Sequence, residues 1–329
     1  MAIGLSFLRS LRLAPIAALA AGMAFAPAGA ALAAQNTISI VVATTPGTGP
    51  DILARSVGQQ LMARFGTAAV VDNRPGASGN IGADHVARSR PDGATLLVAA
   101  TTFATNAAVN RTLPYDPIKD FEPVALLGSG TLGLAVPAAF PADTLKAFVA
   151  KARAEPGGIN YASPGNGTPQ HLAMELFKQE AGIDLFHVPF KGAGGAVNDL
   201  AGGHVSAMIV PLHTIQPLVN AGKLKVLAVM SAQRAPSLPQ VPTFRESGYE
   251  KVQVDVWYGL LAPKATPQAT IAKLNKEVNE VLKDDDVVAS LAKQGIRPEG
   301  GSPARMADVL ALEIKRWPPV VRAANITAD

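Results

Sequence analysis

The chain has no cysteine among its 329 residues. That absence excludes a disulfide framework, a thiol nucleophile, a cysteine-ligated metal and a lipid-anchored cysteine. Aromatic residues make up only 5% and charged residues only 16%. No Lys/Arg cluster of the kind that grips a nucleic-acid backbone stands out, so no nucleic acid is expected. Beyond the first thirty-odd residues no apolar run approaches the ~20 residues of a membrane span. Catalytic signatures are missing as well. There is no G-x-S-x-G elbow and no H-E-x-x-H helix, and His85, His171, His187, His204 and His213 form no triad or metal-ligand spacing. Nothing here argues positively for an enzyme.

What is present begins with an export signal. Arg9 and Arg12 precede the apolar stretch LAPIAALAAGMAFA, and ALA at 31–33 fits a small-residue cleavage site. Residues 1–33 therefore read as a signal peptide, and the separated arginines favour the general secretory route. Export of a cysteine-free protein suits a bacterial periplasm. Cleavage removes two arginines and no acid, so the formal charge falls from +4 to +2, and 296 residues remain. That length allows two domains of ordinary size.

Through the mature chain, strand-like runs alternate with helix-like ones, which argues an α/β class with largely parallel strands. ISIVVA leads to the helix DILARSVGQQLMARF, AAVVDN to a helix over 81–89, and ATLLVAAT forms a third strand. A second set follows: helix 145–155, INYAS, helix 170–181, LFHVPF, helix 193–201, SAMIVP, helix 215–221 and LKVLAVM. The end is mainly helical, over 267–283, 286–294 and 303–324. FEPVALLGSGTLGLAVP reads as two extended segments, and VQVDVWYGLLAP is extended again. The stretches near 124–136 and 252–262 are thus the expected crossings between a discontinuous first domain, 34–130 with 256–329, and a second domain over 131–255.

Four turns repeat one design, a strand ending in a Gly-rich turn that opens a helix: TTPGTGPD, NRPGASGN, SPGNGTPQ and FKGAGG. Helix N-termini point N–H groups outward and carry partial positive charge, so such turns suit an anion. None has P-loop or dinucleotide spacing. Asp51 is expected to cap its helix with Arg55 as ion-pair partner. His171 and Glu175 share a helical face; with no second histidine at ligand spacing they suit a structural role better than a metal, and no metal or cofactor is expected.

These segments also carry a resemblance. PGTGPDILAR, VVDNRPGASGNIGADHVARSRPDGATLL, LPYDPIKDFEPV, YASPGNGTPQHLAMELF, HVPFKGAGGAVNDLAGGHV, LAVMSAQRAPSLPQVPTFRESGY, WYGLLAPKATP and LAKQGIRPEGG stand in the order found in tripartite tricarboxylate transporter receptors, the Bug receptors. The chain resembles that family over essentially its whole mature length. The resemblance implies a type II periplasmic-binding-protein-like fold: two α/β domains joined by two hinge strands, with the ligand cleft between them. It implies a monomeric receptor for a small organic carboxylate, working transiently with membrane permease subunits. Docking on a sensor kinase is the other binding role, and a periplasmic enzyme the third. Ligand contacts carry over to Pro46, Gly47, Thr48, Gly49 and Asp51; to Gly76, Ala77, Ser78, Gly79 and Asn80; to Ser163, Gly165, Asn166, Gly167 and Thr168; and to Lys191 and Gly192. Three positions depart from the family pattern: Thr48 replaces a glycine, Phe190 a tyrosine and Gly195 a proline.

Overall fold

The computed structural model describes residues 37–110 and 112–327; the expected signal peptide lies outside them. The first set of elements is β1 (Thr37–Val42), α1 (Gly49–Phe65), β2 (Ala68–Asn73), a short 3-10 turn (Ala77–Gly79), α2 (Asn80–Ala87), β3 (Thr95–Ala100) and α3 (Thr101–Val109). A long strand, β4 (Phe121–Pro137), leads into α4 (Leu145–Ala154), β5 (Asn160–Ser163), α5 (Pro169–Ala181), β6 (Phe186–Pro189) and α6 (Ala193–Ala201). Then come β7 (Ala207–Pro211), α7 (Leu212–Asn220), β8 (Leu224–Val229) and β9 (Asp255–Pro263). The chain ends in α8 (Gln268–Val281), α9 (Asp285–Lys293), β10 (Ile296–Pro298) and α10 (Pro303–Ala323).

The strands follow the order β2-β1-β3-β9-β4-β7-β5-β6, with β8 and β10 also paired to β4. In the first half β1, β2 and β3 are parallel, as the alternation predicts. Both faces of β1 and β3 are covered, which is why they read as largely apolar runs, whereas β2 is an edge strand with Val70 exposed. Ile38, Ile40, Val42, Leu96 and Val98 enter one core, while Val41, Leu97 and Ala99 enter another. The second half repeats this with Leu132, Leu134, Tyr161 and Ile209 on one face and Ala135, Ala162, Met208 and Val210 on the other.

β4 is where the halves meet. Its residues Phe121–Thr131 pair with β9, and Leu132–Pro137 pair with β7 and β8. The expected two extended segments are therefore one strand of 17 residues. Its central glycines permit close packing: a Cβ on Gly128 would stand 2.7 Å from Ile296 Cγ2, and one on Gly130 2.8 Å from Val256 Cγ2. α10 also spans both halves. Met306 and Leu310 pack into the first half's core, and Trp317, Val320 and Val321 into the second's. No helix among the described residues is long and apolar enough to cross a membrane.

Candidate functional site

Strand directions place the site. β9 runs antiparallel to β3, β4 antiparallel to β9, and β7 antiparallel to β4. The parallel strands of the second half therefore run opposite to β1–β3, and the carboxyl ends of the two sets face each other across the middle of β4. Ala100, ending β3, lies level with Tyr258 and so with Gly128, and Pro211, ending β7, lies level with Leu132. Four residues of strand separate those levels, about 13 Å. Ligands in open α/β sheets collect at such carboxyl ends. Six strand-to-helix turns converge here rather than four, because β3 feeds α3 directly and β7 feeds α7.

The first turn, 43–48, is built around Asp51. Asp51 is not the cap residue: Thr48 holds that position, with extended backbone and no side-chain cap bond, and Asp51 lies one turn into α1. Its side chain reaches back instead. Oδ2 accepts from the Gly47 N–H (2.9 Å) and Arg55 Nε (3.0 Å), and Oδ1 accepts from Arg55 Nη2 (2.9 Å) and Asn73 Nδ2 (2.9 Å). Gly47 has φ +81°, and it and Pro46 are exposed. The Thr48 hydroxyl donates to the Thr45 carbonyl and lies 2.7 Å from the Thr44 hydroxyl. Gly49 opens α1 beside Tyr258: a Cβ there would meet the phenol oxygen at 3.0 Å.

Burial alone would raise the Asp51 pKa, but the Arg55 hydrogen bond, the Gly47 amide and Asn73 outweigh it and hold the carboxyl below its ordinary value. The carboxylate thus steadies the fold above the ordinary carboxylate range, and that support is lost as pH falls through the lowered folded value. Asp51→Ala is expected to cost about 1.5–3 kcal/mol at pH 7, the worth of bonds to a buried charged group. The gap to wild type should narrow once the medium is acid enough to protonate the native carboxyl. Urea unfolding at pH 7 and at successively lower pH checks both points; equal stability at pH 7 would contradict the role.

The second turn carries four consecutive residues with positive φ: Gly76 (+120°), Ala77 (+47°), Ser78 (+55°) and Gly79 (+94°). Non-glycine residues in this region are strained, and such strain concentrates at functional sites. Side chains from α3 and beyond hold the turn in place. Asn106 Nδ2 donates to the Ser78 carbonyl and to Asn80 Oδ1, both at 2.9 Å, and the Tyr115 hydroxyl also donates to Asn80 Oδ1 at 2.9 Å. A Cβ on Gly79 would stand 3.2 Å from the Ala43 methyl, so the first two turns adjoin. With Thr102 they line a cavity of about 20 Å³, room for about one water.

In the second half, the turn at 163–168 rests on two stacked imidazoles, His171 and His187, with ring centroids 3.9 Å apart. Ser163 is fully buried, and its hydroxyl lies 2.6 Å from His187 Nε2 and also bonds Gly165. His171 Nδ1 accepts the Gly167 N–H at 3.1 Å. Burial, then the neighbouring His187 and Lys178, push the His171 pKa down to about 3, which keeps that nitrogen an acceptor at neutral pH. Thr168 caps α5: its hydroxyl donates to the Gly165 carbonyl (2.8 Å) and accepts from the His171 N–H (3.4 Å). The hydroxyls of Ser163 and Thr168 therefore shape the turn, and Asn166 is exposed at its tip.

The next turn is tied to this one, since the Phe190 N–H donates to the Ser163 carbonyl and the Gly192 N–H to the Pro164 carbonyl. Gly192, at φ +114°, precedes α6, whose first residues Ala193, Gly194 and Gly195 are accessible. First-turn amides have no intrahelical acceptor and can serve a ligand. Lys191 is exposed.

Behind the turn, Glu175 accepts from the Tyr161 hydroxyl (2.5 Å) and Lys178 Nζ (2.8 Å), a structural network as the sequence suggested. No metal-holding group of His and acidic residues exists among the described residues. A larger cavity, about 360 Å³, lies against His171, Glu175, Lys178, His187 and the 324–327 segment. It touches the candidate turns only through Asn166. Residues that pattern reading missed are Thr102, Tyr258 and the start of α7, which come to the site through long-range pairing rather than through a local glycine motif.

The chain matches a family model described as the tripartite tricarboxylate transporter family receptor over residues 53–326. It is 36% identical over 304 residues to Protein BugT of Bordetella pertussis, covering 92% of this chain and 93% of that protein. Among solved structures, Rpa4515 of R. palustris with adipate superposes with a TM-score of 0.77 at 35% identity, covering 89% of this chain and 99% of that one. MatC of Rhodopseudomonas palustris with bound malate gives 0.73 at 34% identity, covering 87% and 98%.

Proposed function

The chain belongs to the tripartite tricarboxylate transporter receptor family, and from that membership and the site geometry we propose that it is a periplasmic receptor for a small organic carboxylate. Its fold is that of type II periplasmic binding proteins. The bodies 34–130 with 256–329 and 131–255 close on the ligand about the β4–β9 crossing, and the loaded receptor passes the acid to membrane permease subunits. It works as a monomer after removal of residues 1–33, and it binds without chemical turnover.

The observation that carries this reading is the facing of two sets of helix N-termini across β4, with Asp51, the acid built into the first turn, neutralised by Arg55. Such a cleft offers N–H donors and little negative charge, which suits an anion. The adipate and malate of the two solved relatives are acids of this class. Ser163 and Thr168 spend their hydroxyls on the turn, so backbone amides of Thr48–Gly49, Ala77–Ser78 and Ala193–Gly195 are the principal donors.

Two measurements test it. Native mass spectrometry of the purified protein should reveal a co-purified acid. Small-angle scattering should show a smaller radius of gyration with saturating adipate or malate, provided either binds by calorimetry. An unchanged radius at proven saturation would contradict closure.

A further inference from the structure

Asp255 opens β9 opposite Thr131, the point where β4 changes partners. Just before it, the Val254 N–H donates to the Met230 carbonyl in the second half, and Val252, Val254 and Val256 are buried in that half's core. Trp257, two residues on, enters the first half's core. Asp255 therefore sits within the crossing itself.

Its surroundings are unusual. Among the described residues two buried side-chain polar atoms lack a hydrogen bond of ordinary geometry, Asp255 Oδ1 and Trp257 Nε1, although the Trp257 indole stands near enough to Glu313 to help hold that carboxyl's pKa down. They share one face of the same strand, since side chains two apart point the same way. Buried polar atoms left unpaired are rare, and each asks for an explanation. Two arginines attract the carboxyl, Arg297 from β10 and Arg316 from α10, while Glu299 and Glu313 repel it. Both cations are already engaged. Arg297 Nη2 donates to Glu299 Oε1 at 2.7 Å, and Arg316 Nη1 donates to Glu313 Oε1 at 2.5 Å. Glu299 is held further by Ser129 (2.6 Å) and Arg305 (2.5 Å), and Glu313 by the Trp317 indole (2.9 Å). The charges facing Asp255 cancel in pairs, and an ionised carboxylate has no dedicated partner.

We propose that Asp255 is a proton-operated catch on the closure of this receptor: protonated, it permits the crossing to hold the arrangement seen here, and ionised, it favours the form in which the crossing opens to water. This rests on the reading that the two halves close on a carboxylate. Burial is the leading cause that lifts its pKa to about 6. In the opened form it returns toward the ordinary carboxyl value. The sign follows: the closed form binds the proton more tightly, so closure weakens as pH rises from about 4 to about 6 and is level above that. Two pH units of difference correspond to at most about a hundredfold in affinity.

Asp255→Asn keeps the shape and removes the charge, so it should hold the closed form at every pH. The experiment is calorimetric titration of wild type and Asp255→Asn with adipate, and with malate if adipate does not bind, from pH 4 to 8. Comparing the two proteins cancels titration of the ligand itself. The expected result is that the variant binds up to about a hundredfold tighter above pH 6 and that the difference vanishes toward pH 4. An equal affinity at every pH overturns the catch while leaving carboxylate capture standing. If neither acid binds, capture of these acids fails and ligand-free emission decides. Trp257 and Trp317 are the chain's only tryptophans, and both border this cluster. Wild type should show an emission change between pH 4 and 6 that Asp255→Asn lacks; identical profiles overturn the proposal. Arg316→Gln, which removes one attracting cation, should move that change to higher pH.

Discussion

A methyl group on Gly167 is expected to weaken capture of a carboxylate by roughly fivefold to more than a hundredfold. Gly167 has φ +69°, and a Cβ there would stand 2.8 Å from Val109 Cγ1 and 3.1 Å from Cγ2. Val109 ends α3 in the first half, whereas Gly167 belongs to the turn after β5. The clash thus falls between the two halves and grows as they approach. Overpacking of this kind costs about 1–3 kcal/mol, which converts to the affinity loss stated. Left-handed strain on alanine adds about 1–2 kcal/mol, but in both open and closed forms. It appears in the melting temperature of the ligand-free protein rather than in the affinity. Calorimetry on Gly167→Ala beside a ligand-free melt separates the two. A lowered melt with unchanged affinity would show that this contact plays no part in closure.

Trp317→Ala is expected to cost about 3–5 kcal/mol of folding free energy, the range for removing a large buried aromatic ring. Trp317 is fully buried in the second half's core, on a helix whose Met306 and Leu310 lie in the first half's core. Its indole N–H also donates to Glu313 Oε2 at 2.9 Å, and Glu313 is itself buried. Truncation therefore opens a cavity and takes one donor from a buried carboxylate at once. Trp317→Phe keeps most of the packing and loses the hydrogen bond, so its loss should be smaller. Urea unfolding measures both, and a loss under about 1 kcal/mol for the alanine variant would remove α10 as the tie between the halves.

The alternation of apolar strands and amphipathic helices made the α/β class legible, because both faces of β3 and β7 are buried and their central residues had to be apolar. Each Gly-rich turn was legible for a similar reason, since positive φ at Gly47, Gly76, Gly79, Gly165, Gly167 and Gly192 leaves few other residues. α3 was not legible. TTFATNAAV carries β-branched threonines directly after a strand, and no side chain caps its start. β10 is only three residues long and exists because Gly128 lets Ile296 pack against β4.

Side-chain roles within the turns were harder still. Asp51 is the cap expected from the sequence, but with Pro50 in its first turn α1 is capped three residues earlier, at Thr48, and the Asp51 carboxylate turns back to Gly47. Ser163 and Thr168 looked like ligand donors in the local pattern. What draws Ser163 inward is His187, 24 residues away and brought alongside by the pairing of β5 with β6. Local spacing carries no information about that partner.

The central claim is that backbone donors on facing helix N-termini hold an anionic carboxylate. Calorimetric titration with adipate, and in parallel with its neutral diamide, tests this most directly. Where adipate binds, one molecule per chain is expected, with its diamide held at least about tenfold more weakly, since bonds to a charged group exceed those to a neutral one by roughly 1 kcal/mol or more each. Equal binding of adipate and its diamide would contradict it.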